Sequence, residues 1–344
     1  MKTKLRIGYF ANSSDLSAAG DRRRLVFWAQ QRGHLLKVNS CTNVDVVVLT
    51  GGGIYPKLQH LENIPLIIDL PDSYAVRDHV IKDYLRSVVR SAKRQKTCDF
   101  IRFSEFILDI IRRADLVVTS SVEQSQNIPF AKNVRNILDF HHEFPDLIKQ
   151  KPPQAPFSFF WEGQTHSLKK VSDLRYVHRV NSEAIREICL ITNKTHPLIS
   201  NNIKVPTIIA FPDLFLQKSI HLDLVPWSLQ NVVTTAKKSD ISFIPVNRLN
   251  VISYLKPENR ILISWRLGLP VIATRTPSHL RLQKNIECEF TYDTLDELNY
   301  LVDRFIQEPT LVMQQINEGK SYLARTHTSQ LLLKSWDEAI ESTL

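Results

Sequence analysis

The chain has 344 residues, about twice the usual size of one domain, so two domains are expected and a single core is not. Hydrophobic residues at 43% and charged residues at 23% exclude a collagen-like, low-complexity or largely disordered chain. With 44 Lys and Arg against 35 Asp and Glu, the net charge of +9 favours anionic partners such as nucleotides, phosphates, nucleic acid or an acidic membrane face, without choosing among them.

The N-terminus is basic and then briefly apolar, but it stops at Ala11-Asn12-Ser13-Ser14 without a full hydrophobic region. It reads as a first strand, Leu5–Tyr9, and not as a signal peptide. A helical period follows over Asp21–Arg32, then short Val/Ile/Leu runs at Val44–Leu49 and Leu66–Ile68, a helical period over Arg102–Arg113, and the run Leu116–Thr119. Short apolar strands alternating with periodic segments predict a parallel sheet covered by helices, a Rossmann-like half. The stretch Lys149–Pro156, with Pro152, Pro153 and Pro156, interrupts its surroundings and marks the linker, giving a first domain over 1–150.

Alternation resumes beyond it. Strands are expected at Phe157–Trp161, Thr207–Phe211, Leu222–Val225, Ile241–Pro245 and Pro270–Thr274, and helices over Ser172–Leu190, Leu229–Lys237 and Glu258–Leu267. Asp296–Gln307 and further helices close this second domain, 151–325. The periodic stretch Ser329–Ile340, within the tail 326–344, is expected to cross back onto the first domain. No run approaches the ~18 apolar residues of a membrane span. Cys41, Cys98, Cys189 and Cys288 are widely spaced, which supports neither a disulfide framework nor a zinc ribbon and fits a reducing cytoplasm.

Glycine is scarce. Nine occur, at Gly8, Gly20, Gly33, Gly51–Gly53, Gly163, Gly268 and Gly319, where an average usage of roughly 7% would give more than twenty. Each therefore carries more information than usual. Gly51–Gly53 follows an expected strand without a GxxxxGKS or GxGxxG pattern, so it reads as a flexible loop that lets a substrate approach the backbone.

The segment Lys256–Thr274 is the most specific. Pro257 suits a helix start, Gly268 a left-handed stop, and Pro270–Thr274 a buried strand. Free amides beside Asn259 and Arg260 would favour an anion, so the segment reads either as a phosphate site or as a surface helix leading into a core strand. It resembles the donor-binding helix of GT-B fold glycosyltransferases, in which an Asn-Lys or Asn-Arg pair opens a helix ending in a Gly-x-Pro-Val-Ile-Ala strand. Further segments resemble that family in the same order: Arg6-Ile7-Gly8-Tyr9, Ala18–Arg24, Arg32-Gly33-His34, Ile67–Asp72, Ala114–Ser121, Trp161–Gln164, Val225–Ser228 and Ser239–Val246.

The resemblance implies an α/β GT-B architecture, two Rossmann-like domains facing an interdomain cleft. It implies a donor site of Gly163, Trp227, Asn259, Arg260 and Ser264, with Trp227 near the base and Asn259 and Arg260 at the diphosphate. One departure stands out: retaining members place a ribose-binding glutamate on this helix where Ile263 stands here, which leaves the ribose to Ser264 or a backbone group, or marks a different donor or a degenerate site.

Asp72, just after an expected strand, is the candidate acid-base residue, with Asp69 beside it as a turn cap or arginine partner. His79 reads as a solvated helix position or a neighbour of the site. Arg22-Arg23-Arg24 reads either as a solvated basic turn or as phosphate or acceptor recognition, with Gly20, Arg22 and Arg24 as acceptor-side candidates and Asp21 as a first-turn dipole partner. Arg86, Arg90, Lys93, Arg94, Lys96 and Arg102 form a basic stretch, either a solvated helix face or a contact for an anionic membrane or lipid diphosphate; interleaved aromatics are missing, so nucleic acid is not expected.

No two aspartates are separated by one residue, so the DxD metal motif of the other large glycosyltransferase fold is absent and neither metal nor cofactor is expected. The expected activity is metal-independent transfer of a sugar from a nucleoside-diphosphate sugar to a glycan or lipid-linked acceptor, in the cytoplasm or on the inner membrane face. The alternatives are a nucleotide-sugar epimerase or hydrolase of the same fold, or a catalytically degenerate binding module.

Overall fold

The computed structural model describes residues 4–53, 61, 63–75, 103–197, 204–215 and 220–344. They form two compact units, one of Met1–His141, Asn250–Pro257 and Thr326–Leu344, the other of His142–Leu249 and Glu258–Arg325.

In the first unit six strands form a parallel sheet: β1 (Arg6–Phe10), β2 (Leu35–Val38), β3 (Val46–Thr50), β4 (Leu66–Leu70), β5 (Leu116–Thr119) and β6 (Val134–Asn136), in the order β2-β1-β3-β4-β5-β6. Successive side chains point to opposite faces. Ile7, Tyr9, Val46, Val48, Ile67 and Val118 pack on one side with Trp28, while Phe10, Val47, Leu49, Ile68 and Val117 pack on the other with Ile107, Ile110 and Ile111 of the helix Phe103–Arg113. Burial on both faces is why β3 and β4 are rich in Val, Ile and Leu without alternating with polar residues, Thr50 and Asp69 standing only near their carboxyl ends. β2, half exposed at the sheet edge, gave no such signal.

The expected helix Asp21–Arg32 is two pieces, Ala19–Arg22 and Leu25–Arg32, separated where Arg24 leaves helical dihedrals at φ −127° and ψ −116°. Gly33 ends the second piece in the left-handed conformation, at φ 68°.

The helix Ser329–Glu341 belongs to this unit and inserts Leu332, Trp336, Ala339 and Ile340 beside Trp28. Asp337 fastens it: Trp28 Nε1 donates to Oδ1 at 2.8 Å and Arg32 Nη2 to Oδ2 at 2.5 Å. Partial burial pushes the Asp337 carboxyl up, but the hydrogen bonds from Arg32 and Trp28 outweigh it and hold the group below its ordinary value. A depressed folded pKa stabilises above the unfolded value, ~3.9, and that contribution is lost as pH falls through the folded value. Asp337→Asn is therefore expected to cost ~1 kcal/mol at pH 7 and progressively less as the pH is lowered below ~3.9, as read by denaturant titration across that range.

The second unit holds β7 (Phe157–Glu162), β8 (Ile185–Thr192), the antiparallel pair β9 (Thr195–Pro197) and β10 (Lys204–Pro206), then β11 (His221–Pro226), β12 (Ile241–Ile244), β13 (Val271–Thr274) and β14 (Thr291–Tyr292). Its six-stranded parallel sheet runs β11-β8-β7-β12-β13-β14. Phe159 meets Phe243 edge to face and Phe243 stacks on Tyr292, an aromatic row across the core. Gly319 lies under the Trp265 indole, where a Cβ would stand 2.4 Å from Cδ2, so a larger residue would displace the ring.

Two expectations are corrected here. The helix over Ser172–Leu190 ends at Val180: a 3-10 segment, Thr165–Asp173, leads into the helix Leu174–Val180, Asn181 turns extended, and 185–192 is β8. The apolar period of Val171, Leu174 and Val177 was helical, but Ile188, Leu190 and Ile191 are buried by pairing with β7 and β11, which a local pattern does not report. The strand expected at Thr207–Phe211 is a helical turn, Thr207–Ala210. No strand pairs with it; Thr207 Oγ1 instead donates to the Asn193 carbonyl at 2.7 Å, and Ile208 and Ile209 are exposed. Among the described residues no helix is long and apolar enough to cross a membrane.

Candidate functional site

In the second unit the helix Asn259–Arg266 begins behind Glu258, whose buried carboxylate receives Arg281 Nη2 at 2.9 and 3.0 Å. Pro257 stands one residue outside this cap and not at the first helical position. Gly268 follows at φ 72°, and a Cβ there would lie 2.9 Å from the Leu147 carbonyl oxygen, so both conformation and space demand glycine. Ile263 is 4% exposed, packed with Phe144, Phe160, Ile191 and Val232. This position on the helix faces apolar core, where a carboxylate would be desolvated without a partner. Ser264 is not available to a ribose either: it is buried, and its Oγ lies 2.8 Å from Ser242 Oγ and donates to the Arg260 carbonyl at 2.8 Å. It ties the helix to β12.

Two other residues expected on the donor side, Gly163 and Trp227, stand at the carboxyl ends of parallel strands, where open α/β sheets hold ligands. Gly163 follows β7, and its missing Cβ leaves Arg260 Nη1 3.6 Å and Trp161 Cζ2 3.0 Å from where that atom would be. Trp227 follows β11, 39% exposed, with its backbone N–H on the Thr192 carbonyl at 3.0 Å. Its indole Nε1 donates to Glu162 Oε1 at 2.7 Å. Burial lowers the Arg260 pKa, and the Glu162 carboxylate opposes that shift. Asn259 is the first residue of the same helix. Arg260 therefore lies beside Gly163, and Trp227 is joined to them through Glu162, a residue sequence reasoning did not single out, its only signal being its place in the turn Trp161-Glu162-Gly163.

In the first unit the basic triplet divides. Arg22 is partly exposed and donates to the Ser17 carbonyl at 2.5 Å. Arg24 is wholly buried: its Nη2 meets Asp69 Oδ1 at 2.6 Å, and its Nη1 meets Asp139 Oδ1 at 2.9 Å, Ser120 Oγ at 2.9 Å and the Ile137 carbonyl. The expectation that Arg24 recognises an acceptor is corrected: its guanidinium is consumed within the fold. Burial alone would lower its pKa, but Asp69 and Asp139 raise it overall. Asp21 is likewise a buried hub and more than a dipole partner, accepting from the Tyr9 hydroxyl at 2.6 Å and from the backbones of Asn12 and Ser13 at 2.9 and 3.0 Å. Gly20 is hemmed in by Asn12 and Pro71, at 3.1 and 3.2 Å from a Cβ.

Asp72 lies just beyond β4, partly exposed, with Lys256 Nζ 3.7 Å from Oδ1. The adjacent Ser73 Oγ donates to the Leu255 carbonyl at 3.4 Å, so the excursion 250–257 packs beside this residue. The glycine run is not the flexible loop expected from its composition. Cβ atoms would lie 2.2 Å from the Tyr74 ring at Gly51, 2.4 Å from Asn12 Oδ1 at Gly52, and 2.4 Å from the Phe10 carbonyl oxygen at Gly53. Close packing at the strand ends, not mobility, excludes side chains there. His79 and the basic stretch Arg86–Arg102 lie outside the described residues.

No protein-family model matches the chain, and no curated protein matches it in sequence. Solved structures do. HepE from Anabaena, in complex with UDP and glucose, aligns with a TM-score of 0.61 at 10% identity over 98% of this chain and 100% of its own. Sucrose-phosphate synthase from Thermosynechococcus elongatus aligns at 0.60 and 10% identity over 92% of this chain and 75% of its own. TarM of S. aureus aligns at 0.57 and 10% identity over 86% of this chain, which spans about half, 54%, of TarM. With two parallel six-stranded sheets flanked by helices and these structural neighbours, the chain has the two-domain α/β GT-B fold.

Proposed function

We propose that this protein is a glycosyltransferase that moves a sugar from a nucleoside-diphosphate sugar to a hydroxyl of a glycan or lipid-linked acceptor, without a metal. The observation that carries the reading is the juxtaposition of Arg260, at the head of its helix, with the open backbone of Gly163 and the exposed ring of Trp227. A diphosphate suits the guanidinium and the helix amides, and a base suits the indole. HepE is described in complex with UDP-glucose, which makes UDP the first nucleotide to test.

In this reading the acceptor oxygen bonds to the anomeric carbon, the bond from that carbon to the diphosphate oxygen breaks, and the acceptor proton passes to Asp72. Arg260 and the helix amides stabilise the negative charge that develops on the departing diphosphate. Gly20 and Arg22 are proposed on the acceptor side, and the charge of +9 is the support for contact with an anionic membrane surface. Ile263, buried in the core, is the observation that favours a second reading, a module that binds nucleotides without transfer.

Calorimetry with UDP, GDP and ADP, followed by UDP release from UDP-glucose with and without a panel of alkyl glycosides, tests both. Binding of one diphosphate and acceptor-dependent release support transfer. Binding without turnover leaves the binding module, release without an acceptor leaves the hydrolase, and no binding by folded protein overturns the nucleotide site. Asp72→Asn is expected to keep diphosphate affinity while slowing transfer ~100-fold or more; an unchanged rate would remove Asp72 from the chemistry.

A further inference from the structure

Glu162 has no task in that mechanism, and a carboxylate is costly beside a site for an anion. Among the described residues its Oε1 takes the Trp227 indole N–H, while neither its Oε2 nor the Arg260 guanidinium has a hydrogen-bond partner. Arg260 Nη1 lies 3.6 Å from the Cβ position of Gly163, the residue that follows Glu162, and the Glu162 charge opposes the effect of burial at Arg260. Glu162 thus stands between both halves of the cluster, bonded to the ring and one residue from the glycine beside the cation.

A half-buried guanidinium at the head of a helix would hold almost any phosphate. An adjacent carboxylate weakens that hold for every anion, and a ligand that also offers a flat ring regains affinity by stacking on an indole already fixed in place. We propose that Glu162 is the specificity-determining residue of this site, its charge disfavouring simple phosphates and its Oε1 fixing Trp227 so that ligands with both a diphosphate and a base are selected. The inference rests on the nucleotide reading above.

Calorimetry of UDP and inorganic pyrophosphate against wild type, Glu162→Gln and Glu162→Ala separates the two roles, with matching thermal melts as the folding control. Glutamine keeps an oxygen for the indole and removes the charge, so both ligands are expected to bind about fivefold tighter and the UDP-to-pyrophosphate ratio to stay constant. Alanine also frees the ring, so pyrophosphate tightens equally while the ratio falls about fivefold. In a Trp227→Phe background, which lacks the indole donor, the glutamine and alanine variants are expected to give the same ratio.

Pyrophosphate affinity unchanged in both variants overturns the charge role. A ratio that is the same in both variants with Trp227 intact overturns the positioning role. If wild type binds UDP and neither arm moves, the inference fails and the nucleotide reading stands; if wild type binds neither ligand, both fail.

Discussion

Arg24→Leu is expected to destabilise the protein by about 3–5 kcal/mol. The cause is what remains behind. Asp69 is fully buried and Asp139 nearly so, and both face the guanidinium at hydrogen-bond distance, with Ser120 and the Ile137 carbonyl completing the ring of acceptors. Removing the cation leaves two carboxylates desolvated side by side. Arg24→Lys should recover only part of the loss, because one ammonium cannot reproduce a planar fork that meets Asp69 through Nε and Nη2 and Asp139 through Nη1. Denaturant titration decides the matter: a variant with the midpoint of wild type would mean that this network contributes nothing.

Arg260→Ala is expected to weaken UDP binding by roughly 10–100-fold, the size of one or two charge-assisted hydrogen bonds. Stability should barely change, since among the described residues no hydrogen-bond acceptor meets this guanidinium. Arg24 is saturated by the protein, whereas the Arg260 guanidinium meets no acceptor among the described residues. Equal affinity of wild type and variant in calorimetry would remove Arg260 from the site.

Much of this was legible in the sequence where the signal is local. The runs that became β3, β4 and β5 are buried on both faces and so are mostly Val, Ile and Leu, and the helix Asn259–Arg266 is followed by a glycine in the left-handed conformation that glycine adopts most readily. The misreadings arose where distant residues decide. Arg22 and Arg24 look alike in the chain; their fates differ because Asp69 and Asp139 stand 45 and 115 residues from Arg24. Gly51–Gly53 looked loose because the atoms that crowd it, from Phe10, Asn12 and Tyr74, come from other segments. Ser264 looked available to a ligand until Ser242, 22 residues earlier, proved to face it. Glu162 matters through Trp227, 65 positions on, a separation that no motif spans.

The helix Ser329–Glu341 has a consequence for how the chain is made. Its Trp336 and Ile340 complete the layer around Trp28, so the unit whose first strand leaves the ribosome earliest cannot close its core until Ile340 has been synthesised. The second unit needs the chain only as far as Arg325, so its last segment emerges before that helix does. Vectorial synthesis thus reverses the order of the map: the half encoded first finishes folding last, and its apolar surface is the part of the nascent chain that waits for cover.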